Sequence, residues 1–173
     1  MASPSSYQHQ PSQVAATAFL ARNATVLGDV TIGEESSIWY GAVVRGDTAP
    51  IRIGRQTNVQ DLSCLHADDG FPCSIGDRVT IGHGAIVHGA TVEDDALIGM
   101  RAVVMNGAII GAGSIVGVGA VVTEGARIPP GSIALGIPAR VIRRVEPEDA
   151  ERLRHAVEHY VGAAREAAQA QGQ

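Results

Sequence analysis

Aliphatic residues recur every six positions along most of this chain, and neither a helix nor an extended strand has that period. Val14, Leu20, Val26, Ile32, Ile38 and Val44 keep the spacing unbroken; Ile53, Val59 and Leu65 follow it, as do Ile75, Ile81 and Val87. After one five-residue step it resumes at Val92 and runs through Ile98, Val104, Ile110, Val116, Val122 and Ile128 to Ala134. A helical face repeats every ~3.6 residues and a strand face every ~2. A period of six requires a chain that runs straight for a few residues, turns a corner and repeats. Three such hexapeptides close a triangular coil of about 18 residues, and stacked coils form parallel sheets around a narrow aliphatic prism. Aromatic residues make only 3% of the chain and glycines number 21, as a thin core with many corners requires. The spacing predicts an all-β solenoid of about seven triangular coils, with the solenoid domain spanning 13–145.

The two ends break the pattern. Residues 1–12 (MASPSSYQHQPS) are polar and are expected to form a flexible arm. From Pro147 the chain reads as a helix, with acids after the proline and an apolar stripe of Leu153, Val157, Tyr160, Val161 and Ala164. Residues 146–173 are therefore expected to form a C-terminal helix packed on the prism, with its tail frayed from Ala167. The net charge of −5 and the lack of a basic run argue against nucleic acid as a partner. Without a membrane-spanning apolar stretch or a basic-then-apolar leader, the expectation is a soluble cytoplasmic protein with no membrane contact. Cys64 and Cys73 make neither a disulfide framework nor a CxxC pair, and are expected as buried or loop thiols.

Three histidines carry the chemistry. His66 follows the core residue Leu65, and His88 follows the core residue Val87, 22 residues later. The step from Leu65 to Ile75 is ten rather than six, so four residues bulge out, and removing them leaves one coil of 18. His66 and His88 thus occupy one position on one face in adjacent coils, ~4.8 Å apart, which lets both imidazoles hold one ion. His83 lies two places after Ile81, on the previous face or its corner, out of reach of that ion. Prisms packed round a three-fold axis would bring the His83 of a neighbouring chain to it. Three imidazoles and an open position are the pattern of a catalytic metal site, where a bound water reaches a pKa near ~7.

VVRGD (43–47), IRIGRQTNVQD (51–61), His66 and IGHGAIVHG (81–89) together resemble the motifs of the gamma-class carbonic anhydrase family, and the likeness extends over roughly residues 14–165. That resemblance implies a left-handed parallel β-helix and a homotrimer with one zinc per subunit interface, iron or cobalt being alternatives. It also implies reversible hydration of CO2 to bicarbonate by a metal-bound hydroxide. His66, His83 and His88 match the family's metal ligands. Gln60 and Asn58 match residues that orient the bound water and hold bicarbonate. Arg45, Asp47 and Asp61 match an interface ion-pair network, and such acids also serve to fix a ligand imidazole through its second nitrogen.

Two departures stand out. Thr48 follows Asp47 where the best-studied kind of family member has a catalytic glutamate, and the short ADDGFPCS loop lacks the long acidic insertion that carries a proton shuttle. Asp68, Asp69 and Tyr160 are the candidate substitutes, and weaker turnover would leave metal binding untouched. Two other functions remain open. One is a hexapeptide-repeat acyltransferase, since LGIPARVIRR (135–144) resembles the segment that ends the prism in those enzymes. The other is a non-catalytic metal-binding trimeric scaffold.

Overall fold

The structure, a computed structural model, describes residues 7–10 and 13–172. Its core is a left-handed parallel β-helix with three faces. The first face stacks β1 (Phe19–Leu20), β3 (Ser37–Ile38), β5 (Asn58–Val59), β8 (Thr80–Ile81), β11 (Leu97–Ile98), β14 (Ile115–Val116) and β17 (Ser132–Gly136) in that order. Two long strands, β2 (Thr25–Ile32) and β4 (Val43–Ile53), run across a corner and serve both other faces. The second face continues from their first halves through β6 (Cys64–His66), β9 (Ile86–His88), β12 (Val103–Val104) and β15 (Val121–Val122). The third continues from their second halves through β7 (Cys73–Ile75), β10 (Thr91–Val92), β13 (Ile109–Ile110) and β16 (Arg127–Ile128). The chain makes about six full turns, seven rungs falling on the first face alone.

The six-residue period maps onto the interior. Val44, Leu65, Val87, Val104 and Val122 stand in register on the second face, and all are buried. Each buried aliphatic side chain of that size contributes roughly 1.5–3 kcal/mol relative to exposure. Corners pack as tightly as faces. A Cβ on Gly99 would lie 2.6 Å from the Val118 nitrogen and 2.7 Å from the Gly117 carbonyl carbon, so glycine there lets successive coils stack. Buried hydroxyls at other corners satisfy carbonyls of the next coil: Ser36 donates to Gly54 (2.6 Å), Thr57 to Gly76 (2.8 Å) and Ser63 to Gly82 (2.9 Å). The two cysteines are free; Cys64 lies on the second face and Cys73 on the third, where burial pushes its thiol up to about 12.

The solenoid ends in an antiparallel hairpin of β17 with β18 (Ala139–Arg144), followed by the helix α1 (Pro147–Gln171). Leu153, Val157 and Ala164 are its buried apolar residues, and it packs along β1, β3, β5 and β8 of the first face. It runs back toward the first turn and continues past Ala167 to Gln171, whose side-chain amide donates to the Leu20 carbonyl (3.2 Å). The same side chain accepts from the Arg22 N–H (2.9 Å). Gly172, with φ of 73°, closes the helix in the left-handed conformation. The arm expected over 1–12 falls mostly outside the described residues; within it, the Gln8 carbonyl accepts from the Gly28 N–H (3.0 Å). No helix among the described residues is long and apolar enough to cross a membrane.

Asp149 joins the helix to the hairpin. Its carboxylate accepts from both Arg143 nitrogens (2.6 and 3.1 Å) and from the Glu146 N–H (3.0 Å). The Arg143 bonds first, and the Glu146 bond second, hold it down to about 2. A depressed carboxylate contributes stability that is complete above its ordinary pKa, near ~4, and disappears as pH falls through its folded value. Asp149→Asn should therefore melt below the parent protein at pH 7. The gap should close as pH falls from about 4 toward about 2; a constant gap in thermal melts across that window would reject the assignment.

Candidate metal centre

β6 and β9 pair in register so that His66 and His88 stand side by side, each directly following a fully buried residue, Leu65 and Val87. Nδ1 of His66 lies 2.9 Å from Nε2 of His88. The other nitrogen of each ring is already engaged. Nε2 of His66 lies 3.1 Å from Oδ1 of Asp47; a carboxylate only accepts, so this nitrogen carries the proton. Nδ1 of His88 lies 2.8 Å from Oδ1 of Asn106, whose amide nitrogen donates to Oδ2 of Asp68 (2.9 Å). The Asn106 carbonyl oxygen therefore faces His88 and accepts from its Nδ1–H. With the outer nitrogens engaged by Asp47 and Asn106, the two inner nitrogens are left facing each other, and a shared cation suits that arrangement, so the donor set fits a metal ion.

Asp47 reaches the site from β4, beside Arg45, whose guanidinium donates to it at 2.6 Å. Burial alone would raise this carboxyl; the bonds from His66 and Arg45 and from its own backbone outweigh burial and hold it below the usual carboxylate range. A third potential ligand, an oxygen, is close. Asp68, in the loop between β6 and β7, brings a carboxylate oxygen to within 4.8 Å of ligand nitrogens of His66 and His88. The loop is folded on itself by the Phe71 N–H donating to the Asp68 carbonyl (2.9 Å).

His83 lies elsewhere, at the corner after β8. Its Nδ1 is 2.8 Å from Oδ2 of Asp61 and its Nε2 is 3.4 Å from the Tyr160 hydroxyl. Its backbone N–H donates to Oε1 of Gln60 (3.2 Å), whose amide donates to Asn58 (3.0 Å), which in turn donates to Thr80 (3.0 Å). Tyr160 stands edge-on to Trp39 with ring centroids 5.4 Å apart, and Trp39 packs on Phe19. Burial first, and then the Asp61 charge, raise the Tyr160 hydroxyl above its ordinary value. The eight residues singled out from sequence thus fall into two groups on one chain. Arg45 and Asp47 gather at His66 and His88; Asn58, Gln60 and Asp61 gather at His83. Sequence reasoning does not single out Asn106: the coil beyond His88 sets Met105 opposite it, and Asn106 is one place farther along.

A β-helix of hexapeptide coils with a paired-imidazole centre defines the class: the hexapeptide-repeat proteins. Residues 89–124 match the family described as "Bacterial transferase hexapeptide (six repeats)", and residues 72–100 match "Hexapeptide repeat of succinyl-transferase". The chain is 52% identical over 142 residues to the "Probable carbonic anhydrase" of Methanocaldococcus jannaschii, covering 82% of this chain and 89% of that protein. It is 48% identical over 155 residues to a carbonic anhydrase of Geobacillus kaustophilus, covering 90% and 85%. A solved hexapeptide transferase family protein from Anaplasma phagocytophilum superposes with a TM-score of 0.85 at 38% identity, over 88% of this chain and 90% of that one. The chain belongs to the hexapeptide-repeat family that joins the gamma-class carbonic anhydrases to the acyltransferases, with carbonic anhydrases among its close relatives.

Proposed function

We propose that this protein is a gamma-class carbonic anhydrase-like lyase. It interconverts CO2 and bicarbonate with one zinc ion, or alternatively iron or cobalt, at each interface of a homotrimer. The observation that carries the reading is the division of the site residues into two groups. His66 and His88 offer two nitrogens to an ion, and His83 projects from a different corner. Across an interface, the partner subunit's His83 would complete the set. Surface chemistry around His83 supports such an interface. Tyr40, Asp61, His83, Met100 and Val118 stack in one corner column. The Leu62, Gly84, Arg101 and Gly119 N–H groups donate to the carbonyls of Tyr40, Asp61, His83 and Met100, at 2.8 to 3.0 Å. Tyr40, Met100 and Val118 are exposed, so the Asp61–His83 pair sits in a column flanked by apolar side chains.

When bound, such an ion polarises water and lowers its pKa toward about 7. The chain's own residues do the rest. The Asn58 and Gln60 amides, held by Thr80 and by the His83 backbone, supply rigid donors and acceptors to orient water and bicarbonate. Asp47 orients His66 and Asp61 orients His83 through their second nitrogens. Asp68 Oδ2 is the carboxylate oxygen beside the histidine pair that can accept a proton where Thr48 offers none. The raised Tyr160 hydroxyl is the poorer acceptor.

The acyltransferase reading draws on the transferase family descriptions and on the β17–β18 hairpin that carries LGIPARVIRR. That chemistry needs one histidine base and no facing pair of imidazole lone pairs. Stopped-flow CO2 hydration on anaerobically purified, metal-loaded protein separates the readings. Hydration above the buffer rate that disappears in His83→Ala supports the anhydrase. CoA-thioester binding without hydration establishes the transferase, and bound metal with neither activity leaves the scaffold.

A further inference from the structure

We infer that Asn106 is a positioning residue of this metal centre. Its side chain selects the nitrogen that His88 offers and ties the loop carrying Asp68 to the histidine pair. The inference rests on the metal-site reading above and concerns a residue that the motifs of the site do not contain.

The geometry is direct. Asn106 accepts from Nδ1 of His88 at 2.8 Å and donates to Oδ2 of Asp68 at 2.9 Å, so one planar amide bridges a coil of the prism and the loop above it. Neither bond survives if the amide turns over, because that would set an N–H against a protonated imidazole nitrogen and a carbonyl against a carboxylate. The amide thus holds His88 in one tautomer, with its Nε2 lone pair free and directed at His66.

A second observation is independent of those bonds. Gly89, at φ +55°, lies directly under the Asn106 side chain: a Cβ there would come within 2.2 Å of Asn106 Oδ1, 2.8 Å of Phe71 Cβ and 3.0 Å of the Phe71 carbonyl oxygen. Bare backbone beside His88 gives the amide its path and seats the loop at the same place. The two histidines are also backed by different groups. His66 has a buried carboxylate, Asp47, whereas His88 has a neutral amide that passes its own N–H to Asp68. His88 is therefore oriented by direct contact with an amide, the Asp68 carboxylate standing farther off at 4.0 Å from the same Nδ1.

The test is zinc affinity by chelator competition at fixed pH, together with the visible spectrum of the cobalt(II) form, on the full chain. Asn106→Leu keeps the volume and removes both bonds. It should weaken zinc by about 10–100-fold and alter the cobalt spectrum, while the metal-free protein keeps its melting temperature and assembly state. Asn106→Asp restores an acceptor for the Nδ1–H but sets a second carboxylate against Asp68, so it should recover the affinity and the spectrum in part, above Asn106→Leu and below the parent. Affinity in Asn106→Leu within about twofold of the parent overturns the inference; so does failure of Asn106→Asp to recover while folded. His66→Ala, run alongside, separates the two failures. If His66→Ala loses zinc and Asn106→Leu does not, the inference fails and the metal site stands. If His66→Ala binds zinc as the parent does, the metal site itself is refuted.

Discussion

His66→Ala should take the zinc content of the protein from about one ion per chain to near zero, without unfolding it. Two nitrogens face each other in this centre, at 2.9 Å, and both outer nitrogens are committed to Asp47 and Asn106. Removing His66 leaves one imidazole and a carboxylate on the chain, too few for a stable site on a borderline-soft ion. The side chain points outward from the prism, and the buried neighbour Leu65 carries the packing. The metal-free variant should therefore melt within a few degrees of the metal-free parent. Elemental analysis of the purified protein decides the first point: occupancy that stays near one would place the ion elsewhere. His83→Ala should give the same loss if the ion sits between subunits, and no loss if it is held within one chain by His66, His88 and Asp68.

Leu65→Ala, one residue away, should have the opposite character: a large loss of stability with the metal ligands still present. Leu65 is fully buried between Val44 and Val87, its partners in the coils on either side. Deleting three methyl-sized groups from a close-packed core costs about 2–5 kcal/mol, the larger values where the walls cannot collapse inward. Here the walls are β-strands fixed by hydrogen bonds to both neighbours, so the upper half of that range is expected. For a chain of this size each kcal/mol moves the melting temperature by roughly 2–4 °C. A loss under about 1 kcal/mol in denaturant titration would mean that the prism repacks around the gap.

The interior of this fold was legible because a triangular coil forces the same demand on every sixth residue. Val44, Leu65, Val87 and Val104 could be assigned from spacing alone, and the pairing of His66 with His88 followed from the same arithmetic. Side-chain hydrogen bonds between coils obey no such period. The five-residue step between Val87 and Val92 sets Val104 against Val87, which leaves Met105 opposite His88. The residue that bonds His88 is the next one, Asn106, and it reaches back across Gly89. Likewise the apolar stripe of α1 marked a packed helix, but its direction along the prism depends on distant partners such as Glu35 with Arg165. Nor did spacing place Asp68 beside the histidines; that follows from how its loop folds on itself.

The direction of that helix alters how the whole chain must be built. In a simple solenoid each turn leans only on the next, so the structure could peel from either end like a coil of tape. Here Gln171 is fastened to Leu20 and Arg22, and Ala164 packs with Phe19 and Trp39 over the first turn. The first turn of the prism is therefore roofed by a helix made only after every other turn. Phe19 and Trp39 stay bare until α1 has been made and docked, and from then on the first turn and the helix hold each other in place.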